Sequence, residues 1–125
     1  MKKMLLIDDD REWCEEIADV LKDEGVAVKP VYDGVAGRME AEKYLYDIML
    51  IDLKMPGING FDLIKKLRQE NIPAKIGCVT GSILGKNIPG ERFITENQEK
   101  ELYELTDKVF QKPLDIEELI KFVDE

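Results

Sequence analysis

Histidine is absent from this 125-residue chain, and cysteine occurs only twice. The first absence removes His-based catalytic triads, most zinc sites and any phosphohistidine formed within the chain, so histidine chemistry has to come from a partner. Cys14 and Cys78 lie in apolar surroundings and form no Cys-x-x-Cys pair, which is the pattern of buried thiols in a reducing cytoplasm. No apolar run approaches the roughly 20 residues needed to span a bilayer, and no secretory signal is visible. A basic excess is missing as well, with 18 Lys and Arg against 27 Asp and Glu and a formal net charge of −9. A chain without a basic stripe is expected neither to bind nucleic acid directly nor to associate with a membrane.

What remains, 44% hydrophobic and 36% charged residues, is the composition of one soluble globular domain over residues 1–125. At this size folding buries about two thirds of the surface that the unfolded chain exposes. Short apolar runs alternate with amphipathic stretches, which predicts βαβ units around a parallel sheet. Strands are expected at 3–7, 26–31, 47–51, 75–79 and 108–111, with Pro30 placing the second at an edge. A first helix is expected from near Asp10, with Trp13, Ile17, Val20 and Leu21 on its inner face and Gly25 as its stop. Further helices are expected at 34–44 and at 61–69, the latter ended by Asn71-Ile72-Pro73. Thr95-x-x-Gln98 has the form of a capping box and opens a helix to Thr106, and Asp115 caps a last helix with Leu119, Ile120 and Val123 inward. The connection at 81–107 is the irregular part, and loops beyond about 12 residues in compact domains are usually functional or disordered.

Carboxylates gather at two of these strand ends. Met4-Leu5-Leu6-Ile7 runs into Asp8-Asp9-Asp10, and Ile48-Met49-Leu50-Ile51 into Asp52, which the stretch Lys54-Met55-Pro56-Gly57-Ile58-Asn59-Gly60 follows. Open α/β sheets bind ligands in the crevice beyond the carboxyl ends of their strands, and acids meeting there invite a hard divalent cation. Like charges in one crevice raise each other's pKa and destabilise a fold, so Asp8, Asp9 and Asp52 read together as functional. Asp10 suits a helix N-cap instead. Gly57 and Gly60 serve backbone geometry in the turn, and Trp13 belongs to the core or rim of the first helix.

Asp8-Asp9 after the first strand, Asp52 after the third, Thr80 with the small residue Gly81 after the fourth, and Lys112-Pro113 after the fifth form an ordered set. With the Asp-x-x-Met-Pro-Gly-x-x-Gly pattern from Asp52 to Gly60, this set resembles the receiver domain of bacterial and archaeal response regulators over nearly the whole chain. The resemblance implies a flavodoxin-like, doubly wound α/β fold with a single five-stranded parallel sheet in the order 2-1-3-4-5. It implies a phospho-accepting role in two-component signalling, with Asp52 taking a phosphoryl group from a partner histidine kinase or phosphotransfer protein and an output protein of unknown identity downstream. It further implies Mg²⁺ held by Asp9, Asp52 and the backbone carbonyl of Lys54, with Asp8 acting through bound water. Lys112 is then the ammonium that pairs with the acids or a phosphoryl oxygen, Thr80 the hydroxyl donor, and Gly81 the gap through which the group enters. The Lys112-Pro113 peptide is expected to be cis. A cation and a fixed ammonium are what an anionic group needs in order to approach an anionic site. Such a chain promotes its own phosphorylation and dephosphorylation and is otherwise no enzyme.

Three features depart from the family pattern. Val109 occupies the position of the switch aromatic, three residues before the lysine, and Phe110 follows it, so strand alternation points the aromatic to the opposite face. The span from Thr80 to Lys112 is about ten residues longer than the family generally has, which remodels the output surface and makes the loop after Thr80 the expected reporter. Lys54 sets a flexible cation beside the metal site, where it competes with Mg²⁺ or slows the attack of water. Two alternatives follow. One is a pseudo-receiver that uses the fold only to bind a partner. The other is an aspartate-nucleophile phosphohydrolase, suggested by the Asp-x-Asp of Asp8 to Asp10 but opposed by Glu12 in the place of its threonine and by the lack of length for a cap domain.

Overall fold

The computed structural model describes residues 1–55, 58–81 and 95–125. Its elements are β1 (Lys2–Ile7), α1 (Arg11–Asp23), β2 (Val26–Val31), α2 (Gly34–Lys43), β3 (Ile48–Asp52), α3 (Gly60–Gln69), β4 (Lys75–Thr80), α4 (Glu96–Leu105), β5 (Lys108–Gln111) and α5 (Ile116–Asp124). The strands form one five-stranded sheet in the order β2-β1-β3-β4-β5, every pairing parallel. This is the doubly wound α/β fold expected, with β2 and its Pro30 at an edge.

Side-chain alternation divides the core between the two faces of the sheet. Met4 and Leu6 of β1, Ile48 and Leu50 of β3, and Val79 of β4 pack against Cys14, Ile17 and Leu21 of α1 and Leu119, Phe122 and Val123 of α5. Leu5, Ile7, Met49, Ile51, Ile76 and Cys78 face the other way, against α2, α3 and α4 through Ala41, Phe61, Leu63, Ile64, Leu67 and Leu102. Burial on both faces explains why these strands read as continuous apolar runs. On β5, Val109 sits on the α2–α4 side and Phe110 on the α1–α5 side, as alternation requires.

Each helix starts on a residue suited to capping. Asp10, Asp33 and Asn59 accept from Trp13 N, Ala36 N and Asp62 N, Asp115 accepts from Glu117 N and Glu118 N, and Thr95 and Gln98 complete the expected capping box. Gly25, at φ +79°, ends α1 as a left-handed residue after its cap. At the end of the sheet remote from Asp52, Arg68 of α3 donates from Nε to Leu105 O at 2.8 Å and from Nη1 to Ala74 O at 2.9 Å. Its Nη2 meets Asp107 Oδ2 at 3.2 Å, and that oxygen also accepts from Ile76 N at 2.8 Å. One guanidinium thus fastens α3 to the end of α4 and the starts of β4 and β5.

Several boundaries differ from expectation by a residue. β3 runs from Ile48 to Asp52 rather than over 47–51, because its pairing with β4 continues through Asp52 opposite Val79; Asp47, just before it, accepts from Lys3 N at 2.8 Å through its carboxylate. Asp52 is therefore the last residue of the strand, not the first beyond it. The inner face of α1 is centred on Cys14, Ile17 and Leu21, with Trp13 and Val20 at its rim. In α5, Phe122 is buried beside Leu119 and Val123, whereas Ile120 is only partly so. Of the irregular stretch expected at 81–107, α4 is present; positions 82–94, including the apolar residues Ile83, Leu84, Ile88, Phe93 and Ile94 of the expected reporter loop, lie outside the described residues, as do Pro56 and Gly57.

Candidate functional site

β1 and β3 are neighbours in register, with Ile7 opposite Ile51, so the residues that follow, Asp8 and Asp52, emerge side by side. Asp8 is fully buried, and its backbone N–H continues toward β2 by donating to Val31 O at 3.1 Å. Its carboxylate is held at both oxygens: Oδ1 accepts from Asp10 N at 2.9 Å, and Oδ2 lies 3.3 Å from Lys112 Nζ. Asp9 is exposed at the mouth, and one carboxylate oxygen from each of Asp8, Asp9 and Asp52 lies within 4.8 Å of the others.

The electrostatics of this cluster favour a cation. Burial pushes the Asp52 carboxyl from 3.8 to about 7; repulsion from Asp8 adds to the rise, while Lys112 and the Lys54 N–H oppose it. Burial likewise raises Asp8, against the pull of the Asp10 N–H and of Lys112. Among the described residues, one ammonium therefore faces two buried carboxyls and a third at the rim. Hard oxygen donors in a partly open crevice are the donor set that Mg²⁺ takes, so the residues fit that ion.

The other strand ends supply the remaining groups. Thr80, buried, closes β4, and its carbonyl accepts from Lys112 N at 2.8 Å, so the hydroxyl-bearing and the lysine-bearing strand ends are tied through the backbone. The Lys112-Pro113 peptide is cis, as expected. Lys54 is exposed; it reaches Asp52 through its backbone N–H, 3.4 Å from Oδ1. Gly60 owes its place to close approach, since a Cβ there would lie 2.3 Å from Asp52 O and 2.7 Å from Leu53 Cα. The start of α3 thus presses on the acid-bearing strand end, and Gly60 N donates to Leu53 O at 2.8 Å. Cys14 and Cys78 are buried free thiols, as expected, and Cys14 donates its S–H to Asp8 O at 3.5 Å.

Residues 4–88 match the family model described as response regulator receiver domain. The chain belongs to that family. The matched span contains Asp8, Asp9, Asp52, Lys54 and Thr80 but ends before Lys112, whose place at the site rests on the geometry above. The receiver is 39% identical over 80 residues to the transcriptional regulatory protein CiaR of Streptococcus pneumoniae, an overlap covering 64% of this chain and 35% of that protein. It is 30% identical over 120 residues to the response regulator ArlR of Staphylococcus saprophyticus, covering 96% of this chain and 50% of that one. The chain thus spans between about a third and a half of the length of these curated relatives. Among solved structures, the receiver domain of Francisella response regulator 1452 superposes with a TM-score of 0.82 at 27% identity, over 99% of this chain and 94% of its own. TrrA of Thermotoga maritima, solved with Mg²⁺ and BeF, shares the fold at a TM-score of 0.81 and 22% identity, over 99% of this chain and 97% of its own.

In the receiver Asp8, Asp9, Asp52 and Lys112 meet in one crevice, with Thr80 tied to Lys112 through the backbone, and the intact acidic set gives no ground for the pseudo-receiver alternative. What sequence reasoning missed is Trp13. Its ring lies under Lys112 Nζ, 4.8 Å from centroid to nitrogen, a contact between residues far apart in the chain that no local pattern announces.

Proposed function

We propose that Asp52 is the phosphoryl acceptor of this receiver and that a partner histidine kinase or phosphotransfer protein is the donor. The reading is supported above all by the convergence of Asp8, Asp9 and Asp52 within 4.8 Å, with Lys112 Nζ at 3.3 Å from Asp8. An oxygen of ionised Asp52 attacks phosphorus; the new P–O bond forms as the bond from phosphorus to the donor nitrogen breaks, and the donor imidazole leaves with its electron pair. Asp9, Asp52 and the Lys54 carbonyl would hold Mg²⁺, with Asp8 helping through water, and the ion would supply positive charge to offset that of the incoming phosphoryl oxygens. Lys112 then pairs with a phosphoryl oxygen and the Thr80 hydroxyl donates to another.

In this reading residues 1–125 form one receiver domain acting in the cytoplasm, and its only chemistry is its own phosphorylation and dephosphorylation. Among the described residues no helix is long and apolar enough to cross a membrane. The output partner is a separate protein or domain. Intact mass with acetyl phosphate tests the assignment: one phosphoryl group is expected with Mg²⁺ and none with EDTA. Equal uptake by Asp52→Asn would remove Asp52 as acceptor.

A further inference from the structure

We infer that Trp13 is a positioning residue for Lys112, holding its ammonium at the mouth of the acidic crevice before a phosphoryl group arrives. The inference rests on the reading of Asp52 as acceptor. Four residues close a ring of contacts. Asp8 Oδ1 accepts from Asp10 N at 2.9 Å, and Asp10 Oδ1 accepts from Trp13 N at 3.1 Å, which sets the first turn of α1 on the acidic strand end. The Trp13 ring then lies 4.8 Å from Lys112 Nζ, and Lys112 Nζ returns to Asp8 Oδ2 at 3.3 Å.

The ammonium is bounded on one side by a buried carboxylate and on the other by an indole face, the aromatic surface that attracts cations most strongly. A flexible four-carbon lysine side chain that is 29% exposed would otherwise sample many rotamers. Trp13 also walls a groove of about 430 Å³ together with Ile17, Lys112, Pro113 and Leu114, so ring and lysine line the same recess beside the acids. The attraction to the ring is weaker than a charge-assisted bond to a phosphoryl oxygen, so Trp13 steadies the lysine without retaining it.

The test compares Trp13→Leu, which keeps apolar bulk, with Trp13→Phe, which keeps an aromatic face. For Trp13→Leu we expect Mg²⁺-dependent phosphoryl uptake from acetyl phosphate to slow by roughly fivefold, with no weakening of Mg²⁺ affinity; Trp13→Phe should stay within about twofold of wild type, as the loss of one partly exposed cation–π contact implies. An independent readout is the ring-current shift of the Lys112 Hε protons, expected upfield in the resting wild type and relaxing on addition of Mg²⁺ with beryllofluoride. Wild-type rates in Trp13→Leu, equal slowing in Trp13→Phe, or a parallel loss of Mg²⁺ affinity would overturn the inference. Should Trp13→Leu fail to fold, an ordinary Hε shift in the wild type overturns it alone. A wild type that gains no phosphoryl mass overturns the acceptor reading first, and this inference with it.

Discussion

Phe110 stands edge-on to Phe122, with ring centroids 5.3 Å apart and ring planes at 84°. The pair fixes the aromatic of β5 in the core between the sheet and the α1–α5 layer, on the face away from Thr80, while Val109 occupies the Thr80 side. Gly77 leaves room for the arrangement, since a Cβ there would lie 3.0 Å from Phe110 Cε2 and 3.1 Å from Phe122 Cε2. Phe110 is thus a structural aromatic. Phe110→Ala is expected to lower unfolding free energy by about 3–5 kcal/mol, as for other buried aromatics, while phosphoryl uptake per folded molecule stays near wild type. Denaturant titration with intact-mass uptake on the same samples checks both halves, and a fall in uptake without a fall in stability would show the residue to be part of the switch.

Metal-free protein should lose stability as Asp52 ionises. Its folded-state value of about 7 lies above the ordinary 3.8, because burial and then Asp8 disfavour the charge, so over that interval the folded chain keeps a proton that the unfolded chain has released. The contribution is complete below about pH 4 and disappears as pH rises through about 7, at about 1.4 kcal/mol for each unit of difference. The thermal midpoint in EDTA is expected to fall from about pH 5 to about pH 8, and Asp52→Asn to flatten that slope. Mg²⁺ should raise the midpoint more at the higher pH, where the carboxylates are free to bind it. Superimposable profiles for wild type and Asp52→Asn would contradict the assignment.

Gly60→Ala places its Cβ 2.3 Å from Asp52 O and 2.7 Å from Leu53 Cα, both backbone atoms that cannot rotate away. Either α3 or the end of β3 has to shift. A stability loss of about 1–3 kcal/mol is expected from overpacking, and Mg²⁺ affinity should weaken by roughly tenfold as the supporting geometry of Asp52 changes. Calorimetric titration of Mg²⁺ into both proteins measures the second effect, and unchanged affinity would separate the start of α3 from the metal site.

Arg68→Met removes donors to Leu105 O, Ala74 O and Asp107 Oδ2 at once. Asp107 is exposed and its Oδ2 keeps the Ile76 N–H, so the cost of about 1–3 kcal/mol comes from the two partly buried carbonyls, Leu105 O and Ala74 O. Amide exchange should rise in α4 and at the start of β5, and leave β1 and β3 as protected as in the wild type; exchange rising evenly throughout would mean that the clamp is no local fastening.

The parallel sheet and the meeting of Asp8, Asp9 and Asp52 were legible in the residues themselves, and the resemblance to a family supplied the strand order and the places of Thr80 and Lys112. Strands and helices announce themselves by periods of two and about 3.6, and the ends of successive parallel strands share one edge of the sheet, so acids placed there must meet. Alternation also told in advance that Val109 and Phe110 part company. Periodicity says which residues share a face, but not what packs opposite. The face of α1 turned out to centre on Cys14 rather than Trp13, and Phe122 took the place beside Phe110, because the space left by the facing element decides which side chain goes deepest. Pairing with Val79 of β4 carried β3 on to Asp52, while Asp47 at its other end bonds Lys3, 44 positions away, through both its carboxylate and its backbone. The contact of Lys112 with Asp8 spans 104 positions, and the Trp13 ring beneath that ammonium depends on the same long-range closure. Electrostatics belong there too: an aspartate has the same ordinary pKa wherever it stands in a sequence, and it is burial in the fold, with the repulsion of Asp8 added, that lifts Asp52 to about 7.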